Sequence, residues 1–172
     1  MLRLTRRADY GLRLMIRVAG QRGKITVAEV ASEQDIPYQL LRKVAHTLVR
    51  KQLLKGERGA GGGVSLSRPA SSISLLDIVS AFQSPALNRC TTHPPSCDRR
   101  HICAAFPVWV EVQRNLESSL RQITLAYLAR RQVELTRSPR HDTSRGITKP
   151  ARKGDAQRHI TPSAAAAAGV RR

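Results

Sequence analysis

Amphipathic blocks separated by short polar breaks run along the first three quarters of the chain, and the first block spans about Arg6 to Gly20. Leu12, Met15, Ile16 and Ala19 recur there at helical spacing, with Arg6, Arg13 and Arg17 off the stripe, which predicts an amphipathic helix. Thr5 can cap its start, and Gly20 to Lys24 supply the turn residues and charge that stop it. In "TVAEVASEQDIPYQLLRKVAHTLVRKQLL", Thr26 and Glu29 form a T-x-x-E capping box. The hydroxyl accepts from the third amide while the carboxylate accepts from the cap amide. A short helix from Val27 to about Glu33 follows. A further helix opens at Pro37, whose missing N–H would be unpaired in a first turn anyway. Leu40, Leu41, Val44 and Leu48 form its buried stripe, leaving Tyr38, Gln39, Arg42, Lys43, His46 and Arg50 on the opposite face.

Two helices joined by a tight turn, the second polar and basic at its start, make the helix-turn-helix arrangement that lays a recognition helix in the DNA major groove. A plain helical bundle shows the same periodicity, so periodicity alone does not separate DNA binding from packing. Downstream, "LLKGERGAGGGVSLSRP" holds two short apolar runs, Leu53-Leu54 and Val64 to Leu66, around a basic glycine-rich stretch, which predicts a strand-turn-strand wing. Gly59, Gly61, Gly62 and Gly63 let backbone amides approach phosphates, and Arg58 adds charge. A nucleotide-binding loop is disfavoured because the lysine of G-x-x-x-x-G-K-[ST] is missing, and a merely flexible hairpin is the bland alternative.

"SISLLDIVSAF" predicts a short helix capped by Ser74, with Asp77 at its positive end and Leu75, Ile78, Val79 and Phe82 inward. Pro107 opens a long helical pattern to about Arg131, with Val112, Leu116, Leu120, Ile123 and Tyr127 on one stripe. A helix of about 25 residues spans about 37 Å, more than a small domain covers, so a second subunit is its expected partner. From about Thr136 onward Pro, Ser, Arg, Gly and "AAAAAG" replace periodic hydrophobics, which predicts a disordered tail.

Composition sharpens this picture. Aromatics are only 3 % of the 172 residues, so the core must be built from Leu, Val, Ile and Ala, which favours helices. Lys and Arg outnumber Asp and Glu 30 to 12, a net charge of +18, and a polyanion is the expected partner. Residues 137–172 account for +7 of it, so +11 still lies in the part expected to fold. No apolar run approaches the roughly 20 residues of a membrane span, and the N-terminus is broken by charges, so a cytoplasmic protein without membrane contact is expected.

All three cysteines lie in "CTTHPPSCDRRHIC", Cys90 to Cys103, spaced C-x6-C-x5-C. An odd, clustered set argues against a disulfide framework and for a metal site or a reactive thiol. Zinc sites usually pair ligands two to four residues apart, whereas the wider gaps suit an iron-sulfur cluster. Arg89, Arg99 and Arg100 would offset a cluster's negative charge, and His93 and His101 lie inside the segment. Unliganded surface thiols are the remaining alternative, although they invite oxidation. A nucleophilic cysteine paired with either histidine lacks any accompanying oxyanion-hole or substrate motif, so no enzymatic activity is expected.

Taken in order, "RLTRRADYGLR", "IPYQLLRKVAHTLVRKQLL", "ERGAGGGVSLSRP", "SISLLDIVSAF" and the three cysteines resemble the Rrf-two family of bacterial winged-helix regulators over about residues 2–130. The resemblance implies a homodimer with crossing C-terminal helices, a recognition helix and wing on double-stranded DNA, and an iron-sulfur cluster on Cys90, Cys97 and Cys103. IscR-like members place a histidine three residues after the last cysteine, where this chain has Phe106. NsrR-like members use an aspartate near the N-terminus of the other subunit, and Asp9 matches it, which brings the chain closer to the NsrR type. Asp9 also fits a carboxylate in a first helical turn, stabilised by the helix dipole.

The expected fold is therefore mainly α. Residues 1–70 form a winged helix-turn-helix, 71–132 the cluster-binding loop and long dimerisation helix, and 133–172 a disordered basic tail. The expected function is a transcriptional repressor whose operator affinity is controlled by the cluster, 4Fe-4S rather than 2Fe-2S, sensing nitric oxide or redox and iron status. A cluster-free regulator using its thiols or zinc is the alternative. Expected DNA contacts are Thr26, Tyr38, Gln39, Arg42 and Lys43 from the helices, with Arg42 best placed for guanine, and Arg58, Gly59 and Gly61 from the wing.

Overall fold

The computed structural model describes residues 3–57, 59, 62–92 and 97–137. Arg58, Gly61 and His93, and residues 138–172, lie outside the described residues; the tail expected from residue 133 is corrected in its first five residues, which continue the last helix to Arg137. In chain order the elements are α1 (Arg6–Ala19), α2 (Val27–Glu33), α3 (Tyr38–Arg50), β1 (Leu54–Glu57) and β2 (Gly63–Leu66). A 3-10 turn (Ala70–Ser72) precedes α4 (Leu75–Ser80), α5 (Arg89–Thr92), α6 (Ala105–Gln122) and α7 (Leu125–Arg137).

Local chemistry sets the N-terminal boundaries. The Thr5 hydroxyl accepts from the Ala8 amide, and the Thr26–Glu29 capping box is complete in both directions. Two helices end in the same way. After α2, the Ile36 amide donates to Ala31 and the Asp35 amide to Ser32, with Asp35 at φ +52°. After α3, the Leu53 amide donates to Leu48 and the Gln52 amide to Val49, with Gln52 at φ +57°. Both are Schellman ends in which a non-glycine residue holds the left-handed position and a buried residue, Ile36 or Leu53, follows it into the core.

The wing is a two-stranded antiparallel ribbon in which Leu54 faces Leu66 and Glu57 faces Gly63. Ile25 extends it through mutual backbone hydrogen bonds with Val64 of 2.9 and 3.2 Å. Gly63 makes that approach feasible, because a Cβ there would stand 2.8 Å from the Ile25 carbonyl oxygen. The Lys24–Glu57 ion pair ties the tip end of the ribbon to the same loop.

The core centres on Leu14, Met15, Val30, Leu41, Val44, Leu48 and Leu54, and it also takes in Ile73, Ile78 and Leu125. On α1 the fully buried residues are Ala8, Leu14 and Met15, while Leu12, Ile16 and Ala19 of the expected stripe are partly buried against the core. The shift arises because α1 packs on α3, α4, β2 and α7, so its apolar arc is wider than a single stripe. On α3 the fourth buried residue is Ala45 and Leu40 is only half-buried; on α4 it is Leu76 rather than Leu75 that is buried.

One expected element is corrected. The continuous helix from Pro107 to Arg131 is two helices, broken at Ile123, which is extended at φ −80°, ψ 108°. The Leu75 amide donates to the Ile123 carbonyl and the Leu125 amide to the Ile73 carbonyl, both at 2.8 Å, a short antiparallel bridge that a continuing helix cannot make. Thr124 then caps α7 by accepting from the Tyr127 amide. Consequently α7 turns back onto α1 and the 3-10 turn, and Leu125 and Ala129 are buried there.

Candidate nucleic-acid interface and cysteine segment

The Schellman end of α2 leads through Pro37 directly into α3. Tyr38, Gln39, Arg42, Lys43, His46 and Arg50 are all exposed, as the spacing predicts. None of Tyr38, Gln39, Arg42 and Lys43 has a side-chain hydrogen bond or ion pair with another described residue, so their donors are available to a ligand. Two arginines of α1, Arg13 and Arg17, are spent differently. Arg17 holds Glu33 through two hydrogen bonds of 2.6 and 2.9 Å, and Arg13 donates to the side chain and carbonyl of Gln34. These contacts lock α1 to the C-terminal end of α2, where cations are favoured by the helix dipole. The Arg17 hydrogen bond keeps the Glu33 carboxyl below its ordinary pKa, and Glu33 in turn raises that of Arg17.

Thr26 has a different place from the other expected DNA contacts. Its hydroxyl accepts from the Glu29 amide and donates to the Glu29 carboxylate, and these bonds from the Thr26 amide and hydroxyl hold Glu29 below the usual carboxylate range. With its hydrogen given to Glu29, Thr26 positions α2 rather than offering a donor to phosphate. On the wing, Gly59 sits at φ +102° with open space around it, a conformation that suits glycine at a ribbon tip.

The cysteine segment is held at both ends. Gln83 ties the turn after α4 to the chain start, its carbonyl accepting from the Thr5 amide at 2.7 Å and its amide donating to the Arg3 carbonyl at 2.9 Å. Gln113 of α6, 5 % exposed and one of two buried polar residues among those described, does the same for Pro85 and Leu87. Periodicity held one signal for it: Phe106, Val110, Glu117 and Leu120 share its face of α6, so Gln113 is a polar residue inside a mostly apolar stripe. Cys90 lies in α5, and Cys103 accepts from the Phe106 amide where α6 begins.

Cys90, Cys97 and Cys103 are half-buried and unpaired. Among the described residues no three of His, Cys, Asp and Glu converge into a metal site within one chain. Asp9 is half-buried on α1 and, among the described residues, has no hydrogen-bond or ion-pair partner for its carboxylate. His101 is exposed beside Arg100. As a donor set, three soft sulfurs in one segment fit iron-sulfur chemistry, with a fourth ligand still to be supplied.

A helix-turn-helix with its polar helix face unengaged and a paired wing behind it defines a winged-helix DNA-binding protein. Residues 4–131 match the model of the Rrf2 family, described as iron-dependent transcriptional regulator, and the chain belongs to that family. It is 30 % identical over 156 residues to the HTH-type transcriptional regulator IscR of Escherichia coli K12, covering 87 % of this chain and 96 % of that protein. Among solved structures, CymR of Staphylococcus aureus is similar at 28 % identity and TM-score 0.56, over 73 % of this chain and 96 % of that one. IscR of T. potens, at 23 % identity and TM-score 0.62, covers 81 % of this chain and 93 % of its own and shows the shared fold. The chain is thus a DNA-binding transcriptional regulator of a family that is not enzymatic. Among the described residues no helix is long and apolar enough to cross a membrane.

Proposed function

We propose that the protein is a homodimeric repressor whose grip on a double-stranded operator is controlled by an iron-sulfur cluster held by Cys90, Cys97 and Cys103, with Asp9 of the partner subunit as fourth ligand. The observation that carries this reading is the set of three unpaired, half-buried thiols in one segment tethered to α6. When bound, the group, 4Fe-4S rather than 2Fe-2S, supplies iron-sulfide bonds open to nitric oxide and oxidants. Phe106 stands where an IscR-type histidine ligand would be, and the unengaged Asp9 carboxylate supports the NsrR-type alternative.

The second copy is supported by α6. Val108, Trp109 and Val112 are 57, 42 and 41 % exposed on one face of that helix, an apolar patch that a monomer leaves in water. If two α6 helices cross there, the proposal requires each cysteine segment to meet the partner's α1. The chain's own residues then set the separation of the two α3 helices. Half-sites about one helical turn apart, roughly 34 Å, demand a fixed spacing, so a small interface rotation weakens binding.

The test is anaerobic purification of the full chain, with iron and acid-labile sulfide measured, and duplex binding before and after a nitric oxide donor, using a duplex selected from a random library. The expected result is brown protein with about four irons per chain and at least ten-fold weaker binding after treatment. A colourless protein carrying zinc or no metal decides for a cluster-free thiol regulator of the same fold. The likeness to CymR, one of whose solved structures is of an oxidized form, favours that second reading.

A further inference from the structure

We infer that Gln113 is a positioning residue that fixes Cys90 relative to Cys103 by closing the cysteine segment onto α6. Its side-chain carbonyl accepts from the Leu87 amide at 2.9 Å, three residues before Cys90, and its amide donates to the Pro85 carbonyl at 3.2 Å. The same amide donates to the Glu117 carboxylate at 2.7 Å, which fixes its orientation, because a flipped amide would face the Leu87 N–H with its own N–H groups. Cys103 is joined to α6 covalently and by the hydrogen bond from Phe106 at 3.1 Å. Cys90 has no such link and reaches α6 through the packing of α5 and through Gln113.

A 5 % exposed glutamine whose two polar ends grip a loop backbone is a costly thing to bury unless every bond is made, and here each end is satisfied. Gln113 therefore converts a shift of α6 into a shift of the Cys90 stem, and the reverse. This inference deepens the cluster reading and rests on it for its role in metal retention. The geometric part stands alone.

Two measurements separate them. In metal-free, reduced full-length protein, the alkylation rates of Cys90 and Cys103 by iodoacetamide are followed by peptide mass spectrometry. After anaerobic reconstitution, the rate of iron loss to a chelator is followed by absorbance. Gln113→Leu is expected to raise Cys90 alkylation several-fold while leaving Cys103 within two-fold, and to speed iron loss about ten-fold, the usual order for losing a residue that orients a ligand. Gln113→Glu keeps the shape and the acceptor for Leu87 but sets a carboxylate oxygen against the Pro85 carbonyl and the Glu117 carboxylate, and is expected to raise both values as well, which a loss of side-chain volume alone would not explain. Unchanged Cys90 alkylation in Gln113→Leu, or an equal rise at Cys90 and Cys103 together with a lowered melting temperature, overturns the inference. If the wild-type chain takes up no iron, the cluster reading fails, and the alkylation measurement still decides the role of Gln113.

Discussion

Helices α3 and α6 are both amphipathic, but they settle their apolar faces differently. On α3, Leu41, Val44 and Leu48 are wholly buried within the chain and the polar face is left free. On α6 the one buried residue is Gln113, while Val108, Trp109 and Val112 remain substantially exposed. The difference teaches which face is settled within one chain: α3 buries its apolar stripe and leaves a polar face unengaged, whereas α6 leaves apolar side chains in water, the face on which the proposed second copy would pack.

The sharpest way to break the comparison is at the α3 core. Leu48→Ala should cost about 2–5 kcal/mol of folding stability, the range for deleting a fully buried leucine side chain, measurable by urea unfolding. On the opposite face, Arg42→Ala should leave the unfolding curve in place and lose about 1–3 kcal/mol of discrimination at a guanine position. Arg58→Ala should instead weaken binding to all duplexes alike. Equal discrimination in the Arg42 variant counts against its assignment as a base-reading side chain.

For α6 the readout is assembly. Trp109→Glu should raise the dimer dissociation constant at least ten-fold, about 1.4 kcal/mol, in analytical ultracentrifugation, with the far-ultraviolet spectrum unchanged. A wild-type chain that sediments as a monomer at micromolar concentration removes the contrast altogether. Back on α3, Gln52→Gly should stabilise the fold by about 1 kcal/mol, because glycine adopts the left-handed position after the helix without the Cβ clash.

The smallest effect is electrostatic. Glu33 is held below its ordinary pKa by the Arg17 hydrogen bond, so its contribution is full above the ordinary glutamate range and is lost as pH falls through the lowered value. Since the pair is part-exposed, with side chains 29 and 41 % accessible, Glu33→Gln should cost under about 1 kcal/mol at neutral pH. The gap between variant and wild type should close in strong acid and shrink in high salt. Asp77 adds to the same acid sensitivity. Burial pushes its carboxyl up, but hydrogen bonds from Ser74 and the charge of Arg68 outweigh it and hold it low.

The sequence by itself determined the elements whose boundaries are local: the capping box at Thr26, the cap at Ser74, the exposed face of α3, the paired runs of the wing and the family to which the chain belongs. These rest on hydrogen bonds and side-chain spacing within a few residues, so a short window of sequence contains their cause. Only the tertiary structure decided that the last helix breaks at Ile123, that α1 is covered on several sides and that Gln113 is buried. The break is made by backbone groups of Ile73 and Leu75, about fifty residues earlier in the chain, and the burial by Pro85 and Leu87, nearly thirty residues away. A helical repeat records which side chains are apolar, but not which distant backbone will meet them.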